Sequence, residues 1–256
     1  MESTLQQLKR VVNTTRTTML ERQQLNQLIA DNVFVTSQHL RKANFESLHA
    51  SDIQLLYELY DENYFRGLLR STLSSKLMSF RLSKRMTRAG GKTTRWKDPR
   101  GKRPPRYEIA VATTLLFQSF QDPERPVTVT GIECVSRLDG LMRVMEHELV
   151  HLIELLIWSG SSCSMRRFQD ITARMFGHTH HQHELLTPSE VAVREYGIRP
   201  GSRVRFDLEG HHHEGIVNRI TKRATVLVID PRGQPYSDGY RYVKFYVPLR
   251  LLEPVD

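Results

Sequence analysis

The sequence predicts an α+β protein, in which a small antiparallel sheet packs on helices and a small β-barrel follows towards the C-terminus. Three observations support this prediction. Apolar residues recur at helical spacing in segments 51–67, 138–158 and 166–176. Segments 78–82 and 107–116 show the alternation or the β-branched composition of strands. After residue 198 the pattern changes to short strands separated by turn residues.

Length and composition predict a globular protein with more than one domain. The chain has 256 residues, of which 39% are hydrophobic and 25% are charged, so it can form a substantial core. We expect a helical appendage in residues 1–50, a first domain in residues 51–195 and a second domain in residues 198–256. Lys and Arg outnumber Asp and Glu by 37 to 28, and the resulting charge of +9 predicts an anionic partner such as nucleic acid.

The cysteines and the N-terminal residues predict where the protein resides. Cys134 and Cys163 are too few for a disulfide framework and form no CxxC pair, which favours a reducing compartment. Residues 1–10 lack the apolar core of a signal peptide, and no segment reaches about 18 consecutive uncharged apolar residues. We therefore expect a cytoplasmic protein that has no membrane partner.

The first 176 residues contain the predicted helices and the predicted sheet. Residues 1–45 are polar with scattered apolar positions, as in an imperfect amphipathic helix. Ser51 and Asp52 are residue types that cap a helix, and the helix that follows runs to Gly67. The remaining predicted elements are strands at Met78–Leu82 and Tyr107–Leu116 and helices at Leu138–Trp158 and Arg166–Phe176.

The C-terminal region predicts a β-barrel of SH3-like type with four or five strands. The turns between its strands contain glycine next to Glu, Asp or Arg. The run His211-His212-His213 is interpreted as one of these turns. The predicted strands are Arg203–Leu208, Gly215–Ile220, Ala224–Ile229 and Tyr242–Val247.

The segment His147-Glu148-Leu149-Val150-His151 has the pattern His-Glu-x-x-His within the longest predicted helix. Residues four apart on a helix lie on one face, so the two imidazoles can bind one Zn²⁺ ion. Glu148 then lies beside the metal, where its carboxylate can take a proton from a zinc-bound water. The pattern predicts a zinc-dependent hydrolase with His147 and His151 as ligands and Glu148 as the general base.

A catalytic zinc site takes a third protein ligand, and the sequence leaves three candidates open. Cys163 lies just before the second predicted helix of this region, where the helix N-terminus favours a thiolate. Segment 176–183 offers four histidines at the other end of that helix. Glu154 lies seven residues after the first imidazole, on roughly the same helix face. We rank Cys163 first and His178 second.

Four segments follow one another in the order of a known family: Leu59-Tyr60-Asp61-Glu62-Asn63-Tyr64-Phe65-Arg66-Gly67-Leu68-Leu69, Ala89-Gly90, Ile109-Ala110-Val111-Ala112 and Met145-Glu146-His147-Glu148-Leu149-Val150-His151. Together they resemble the SprT-like zinc metallopeptidases, a group that includes the Spartan proteases of DNA–protein crosslink repair. The resemblance covers about residues 52–185. It implies a zincin-like metallopeptidase domain in which His147 and His151 bind zinc and Glu148 is the base.

The resemblance departs from the family at the third zinc ligand. That ligand is a histidine in a His-Gly-x-x-Phe type of motif. Alignment on Phe168 places Ser164 and Met165 at the positions of the histidine and the glycine. Cys163, one residue earlier, can substitute for the missing histidine with a small shift of the loop. The alternative is a site with only two ligands, which would bind zinc weakly or be inactive.

Segment 81–106 is strongly basic, with eleven Lys and Arg residues against one acid, Asp98. Trp96 and Tyr107 are available to stack on bases, so the segment predicts a loop that follows the phosphate backbone of nucleic acid. A solvated hairpin loop is the alternative interpretation. The sequence as a whole favours a zinc peptidase that acts on proteins bound to nucleic acid. The competing functions are a nucleic-acid-binding module with a structural zinc site and a zinc hydrolase that acts on another kind of bond.

Overall fold

A computed structural model describes residues 2–121, 125–181 and 185–255. The chain divides into two compact units, Met1–Leu185 and Leu186–Asp256. Eight α-helices and three sheets occur within the described residues, so the predicted mixture of helices and strands is confirmed. No helix in this part of the chain combines the length and the apolar composition that a membrane span requires.

Two helices at the N-terminus pack into the core of the first unit. Helix α1 (Thr4–Thr14) and helix α2 (Met19–Thr36) each begin at a capping box, in which a Ser or Thr hydroxyl and a Gln or Glu side chain satisfy each other's backbone N–H groups. Four of their apolar side chains are fully buried among the core residues of the rest of this unit. These buried side chains are Leu8, Val12, Ile29 and Val33.

Helix α3 (Ala50–Phe65) carries much of the aromatic core. Asp52 caps it from inside the first turn, because its Oδ2 accepts the N–H of His49 at 2.7 Å. The helix ends where Arg66 adopts a left-handed conformation, and the short helix α4 (Leu68–Thr72) follows. Its inward face buries Ile53, Leu56, Tyr57, Tyr60, Tyr64 and Phe65.

The sheet of the first unit is mixed, which corrects the prediction of an antiparallel sheet. Its strands are β1 (Met78–Ser83), β2 (Gly91–Trp96) and β3 (Arg106–Ala112). The order is β1-β3-β2, with β1 parallel to β3 and β2 antiparallel to it. Strand β3 is the most apolar and the most deeply buried of the three, so it occupies the centre, and the hairpin formed with β2 leaves that strand at an edge.

Two sequence predictions near this sheet are wrong in detail. Strand β3 ends at Ala112, and residues 113–116 belong to helix α5 (Thr113–Ser119) instead of a strand. A short apolar run fits a buried helix as well as a strand, which explains the error. The basic segment 81–106 is not a single loop, because β2 lies within it. A small hairpin of β4 (Val127–Val129) and β5 (Ile132–Cys134) follows.

Two further helices complete the first unit, with the bounds that the apolar spacing predicted to within a residue. Helix α6 (Arg137–Ile157) is capped by Ser136, whose Oγ accepts the N–H of Asp139. Helix α7 (Arg166–Phe176) ends at Gly177, whose φ of 76° is a conformation that favours glycine.

A buried carboxylate in α6 connects these helices. Glu146 has an exposed fraction of 0%, and its oxygens accept hydrogen bonds from Tyr60 of α3 at 2.9 Å and from Arg143 at 2.8 Å. His178, just beyond α7, lies 2.8 Å from Glu146 through its Nε2 atom. One side chain thus connects α3, α6 and the end of α7.

The second unit contains helix α8 (Pro188–Tyr196) and an open five-stranded antiparallel sheet. The predicted SH3-like barrel is not seen, because the order β10-β6-β7-β8-β9 leaves β9 and β10 as edges in the described residues. Ala192 of α8 packs against the apolar face, which is thereby covered without closure. The strands are β6 (Arg203–Leu208), β7 (His211–Ile220), β8 (Ala224–Pro235), β9 (Arg241–Val247) and β10 (Glu253–Pro254).

The run His211-His212-His213 belongs to β7 and not to a turn. The turn lies just before it at Glu209 and Gly210, which both have positive φ angles. His213 stacks on Phe206 of the neighbouring strand, with the ring centroids 5.2 Å apart. All three histidines pair with residues of β6, and the contact of His213 with Phe206 stabilises this pairing.

We predict that Glu146→Gln lowers the free energy of unfolding of the first unit by about 3–5 kcal/mol, since it leaves Arg143 buried without its charge partner. Both tryptophans of the chain, Trp96 and Trp158, lie in this unit, so their fluorescence during urea denaturation reports its unfolding. The matched control is Glu133→Gln at an exposed position, which we expect to change the free energy by less than about 0.5 kcal/mol. Equal effects of the two substitutions would contradict the role of Glu146.

Candidate metal centre

Helix α6 places two imidazoles side by side at the wall of a cavity. The Nε2 atoms of His147 and His151 are 3.1 Å apart, as expected for residues four apart on one helix face. Cys163, in the loop between α6 and α7, contributes a third atom, and the three ligand atoms all lie within 4.8 Å of one another. The structure therefore brings together the three residues that the sequence nominated as metal ligands.

Two buried or half-buried polar groups, the Ser161 hydroxyl and the Glu154 carboxylate, hold His151 in place. Its Nδ1 atom lies 2.6 Å from the Ser161 hydroxyl, which donates in turn to Glu154 Oε2 at 2.6 Å. Because the single hydroxyl proton is used towards Glu154, Ser161 accepts the Nδ1–H, and the lone pair of His151 lies on Nε2. Burial lowers the pKa of His151 to about 4, so the imidazole is neutral at neutral pH, as a metal ligand must be.

Glu154 also helps to position the loop that carries Cys163. Arg167 donates to Glu154 Oε1 at 2.6 Å and to the carbonyl of Gly160 at 3.2 Å, which fastens the loop to α6. At the other end of the loop, Gln169 of α7 donates to the Cys163 carbonyl at 3.2 Å. Glu154, considered as a third ligand from the sequence, therefore acts here as an anchor for the loop and for His151.

Phe168 of α7 forms the floor beneath the two imidazoles. It is fully buried, and its ring centroid lies 4.8 Å from that of His147 and 4.4 Å from that of His151. Phe168, the residue on which the His-Gly-x-x-Phe motif was aligned, thus packs directly on the two histidines. This contact sets the distance of α7, and of the loop before it, from the candidate ligands.

Glu148, which lines the same cavity as the imidazoles, contacts strand β2. Thr93 of β2 places its hydroxyl 2.8 Å from Glu148 Oε2 and 2.9 Å from the Glu148 carbonyl oxygen. A Cβ atom at Gly91 would come within 2.6 Å of the Glu148 carboxylate, so only glycine leaves room there. Burial raises the pKa of Glu148 to about 7, and the hydrogen bonds from Thr93 oppose the rise.

The histidine cluster after α7 does not act as one group. His178, the second-ranked ligand, is buried against Glu146, and burial lowers its pKa. His180 lies near the β4–β5 turn, where its N–H donates to the Thr130 carbonyl at 3.1 Å. His181 lines the cavity, and His183 lies outside the described residues. The structure therefore does not bring His178 together with the other candidate ligands, because its ring contacts Glu146 in the buried network of α6.

The candidate ligands and Glu148 line one cavity of about 900 Å³. Residues of strand β2 and beside it also line this cavity. Two imidazoles and a thiol suit zinc, which binds nitrogen and sulfur ligands, and three protein ligands correspond to sites that keep a fourth position open for a water or a substrate. The residues present therefore fit a catalytic zinc site.

Sequence reasoning missed the residues that support this site. Thr93, Gly91 and Arg167 belong to no motif, because they reach Glu148 and Glu154 only through folding. Ser161 offered a weak signal, since it lies in the small polar run before Cys163.

Comparison with known proteins gives no further assignment. No protein-family model, no curated protein and no solved structure matches this chain.

We predict that Ser161→Ala weakens zinc binding by about 10–100-fold, since His151 loses the partner that fixes its tautomer. The measurement is competition with a chromophoric chelator, with Cys163→Ser as the reference for loss of a direct ligand. Ser162→Ala is the matched control, because the Ser162 hydroxyl contacts Ser164 and not the imidazole. An unchanged affinity in Ser161→Ala would contradict the role of the hydroxyl.

Proposed function

We propose that this chain is a zinc-dependent peptidase of the SprT-like, zincin-like type, with His147, His151 and Cys163 as zinc ligands and Glu148 as the general base. One observation carries the proposal: the three candidate ligands and Glu148 line one cavity, which is also lined by a strand at the edge of the described sheet. The residues suit hydrolysis, because a carboxylate within reach of a polarised carbonyl can activate water.

Each of these residues has a distinct part in the reaction. Zinc, when bound, supplies a Lewis acid that polarises the substrate carbonyl. Glu148 accepts a proton from the attacking water and passes it to the leaving amine, and a pKa of about 7 suits both transfers near neutral pH. Thr93 holds Oε2, while Oε1 lies against Gly91.

The position of β2 favours a peptide as the substrate. This strand pairs with β3 on one side only, and its other edge is unpaired within the described residues while it lines the cavity. An unpaired edge offers alternating N–H and C=O groups to an extended peptide, which can add to the sheet as a further strand. Small-molecule substrates of other zinc hydrolases make no use of such an edge.

The alternative of a structural zinc site has less support. Structural zinc takes four protein ligands, whereas the part of the chain that the structure describes brings together three. A structural site also needs no base, yet Glu148 is buried beside the histidines and receives a hydrogen bond from Thr93.

We predict that Glu148→Gln reduces proteolysis by at least about 100-fold, because the amide cannot act as a base. Zinc content and fold are expected to remain, since both imidazoles keep their places and Thr93 can still donate to the amide oxygen. The measurements are cleavage of a denatured protein followed on gels and zinc analysis of the purified variant, with Glu133→Gln as the control. Equal cleavage by Glu148→Gln and the wild type would overturn the peptidase mechanism.

The basic segment supports a second part of the proposal, namely that the peptidase acts on proteins bound to nucleic acid. Segment 81–106 has a net charge of +10, which exceeds the +9 of the whole chain. Its single acid, Asp98, accepts the backbone N–H groups of Arg100, Lys102 and Arg103, and so folds the loop between β2 and β3. These three cations are exposed, and Trp96 at the end of β2 is 48% exposed. Exposed cations beside an aromatic ring suit single-stranded nucleic acid.

We predict that replacing Arg100, Lys102 and Arg103 together by Gln weakens binding of a single-stranded oligonucleotide by at least tenfold at about 50 mM salt. The slope of log K against log salt should fall by about 2, since each phosphate contact on a single strand contributes about 0.7. Fluorescence anisotropy across a salt series measures both quantities. The control replaces three exposed cations elsewhere in the first unit, Lys9, Arg41 and Lys76. Equal losses of oligonucleotide affinity in the two variants would show that net charge alone, and not this loop, accounts for binding.

A further inference from the structure

The part of the cavity lining that belongs to strand β2 and the residues beside it, called here the β2 wall, is cationic. Arg88, Lys92, Arg95 and Lys97 line it, and Glu148 is the one carboxylate among the described lining residues. Arg95 has a structural task, because it donates to the carbonyls of Leu155 and Ser159 at the end of α6. The other three cations are exposed, and none of them forms an ion pair with an acid in the described parts of the chain.

These three cations lie on both sides of the point where Glu148 meets β2. Thr93, the contact of Glu148, lies near the middle of the strand. Arg88 and Lys92 precede Thr93 in the sequence, and Lys97 follows the last residue of the strand. Six residues of extended chain span about 20 Å, so the β2 wall has the length of a peptide segment of about six residues.

We propose that this cavity selects peptide segments that carry Asp or Glu on both sides of the bond to be cleaved. Arg88 and Lys92 receive the acidic side chains on one side of that bond, and Lys97 receives them on the other. This inference rests on the proposed peptidase function, for which it names the substrate class. Unpaired cations around a partly enclosed cavity attract anionic groups more strongly than cations on an open surface.

A peptide explains these positions better than nucleic acid does. The cations border the edge of β2 that has no partner strand among the described residues. The alternating N–H and C=O groups of such an edge match a peptide backbone but not a sugar-phosphate backbone. The exposed loop of Arg100, Lys102 and Arg103 offers cations away from the cavity lining, where a phosphate chain can pass without pairing with a strand. The two groups of cations therefore suit two different ligands.

The experiment uses the full-length Glu148→Gln protein loaded with zinc, which separates binding from cleavage. Two fluorescein-labelled ten-residue peptides share the same central residues. The residues that flank the bond to be cleaved are Asp and Glu in one peptide and Asn and Gln in the other. We expect the acidic peptide to bind at least tenfold more tightly at about 50 mM salt, and the preference to fall as salt rises. Joint replacement of Arg88, Lys92 and Lys97 by Gln should abolish the preference. Joint replacement of Lys9, Arg41 and Lys76, exposed cations of the same unit that do not line the cavity, should preserve it.

Three results would overturn the inference. The first is equal affinity for the two peptides, and the second is an equal loss of the acidic preference in the cavity variant and the control variant. The third is a cavity variant that loses affinity for a ten-nucleotide single strand but keeps its preference for the acidic peptide. Cleavage by the wild type is scored separately. Selective binding without cleavage would reject the peptidase and support the acidic ligand, whereas cleavage of both peptides at one rate would support the peptidase and overturn the acidic preference.

Discussion

The buried carboxylate of Glu146 is the constraint on which the candidate site depends. A carboxylate with no exposed surface is stable only if its oxygens are fully bonded, and here Arg143, Tyr60 and His178 supply the partners. This requirement fixes the rotation of α6 about its own axis. Successive residues of a helix are about 100° apart, so residues 146, 147 and 148 must face three directions.

Each of those directions is occupied by a different set of contacts. Glu146 faces α3 and the end of α7, His147 faces Phe168 in α7, and Glu148 faces β2. The carboxylate that anchors the helix, the first candidate ligand and the candidate base are therefore consecutive residues that serve three separate contacts. A rotation of α6 by a fraction of a turn would lose all three contacts together.

Strand β2 supports the same helix along its length through one face. Because side chains alternate along a strand, Gly91, Thr93 and Arg95 all face α6. The first leaves room for the Glu148 carboxylate, the second bonds it, and the third holds the end of the helix. The basic composition of this region therefore serves more than one purpose, since Arg95 is structural and Arg81 pairs with Glu108.

The sequence by itself determined the features that depend on local geometry. The bounds of α6 and α7 follow from apolar spacing and caps, and the convergence of His147 and His151 follows from the pitch of one helix. Tertiary structure decided everything that depends on contacts between distant segments. It paired β1 with β3 in parallel, left the second sheet open, assigned His178 to Glu146, and brought Thr93 to Glu148 and Ser161 to His151. These contacts join residues from different elements, and no periodicity in the chain records them, because they arise only when separate apolar faces and buried polar groups find partners at the same time.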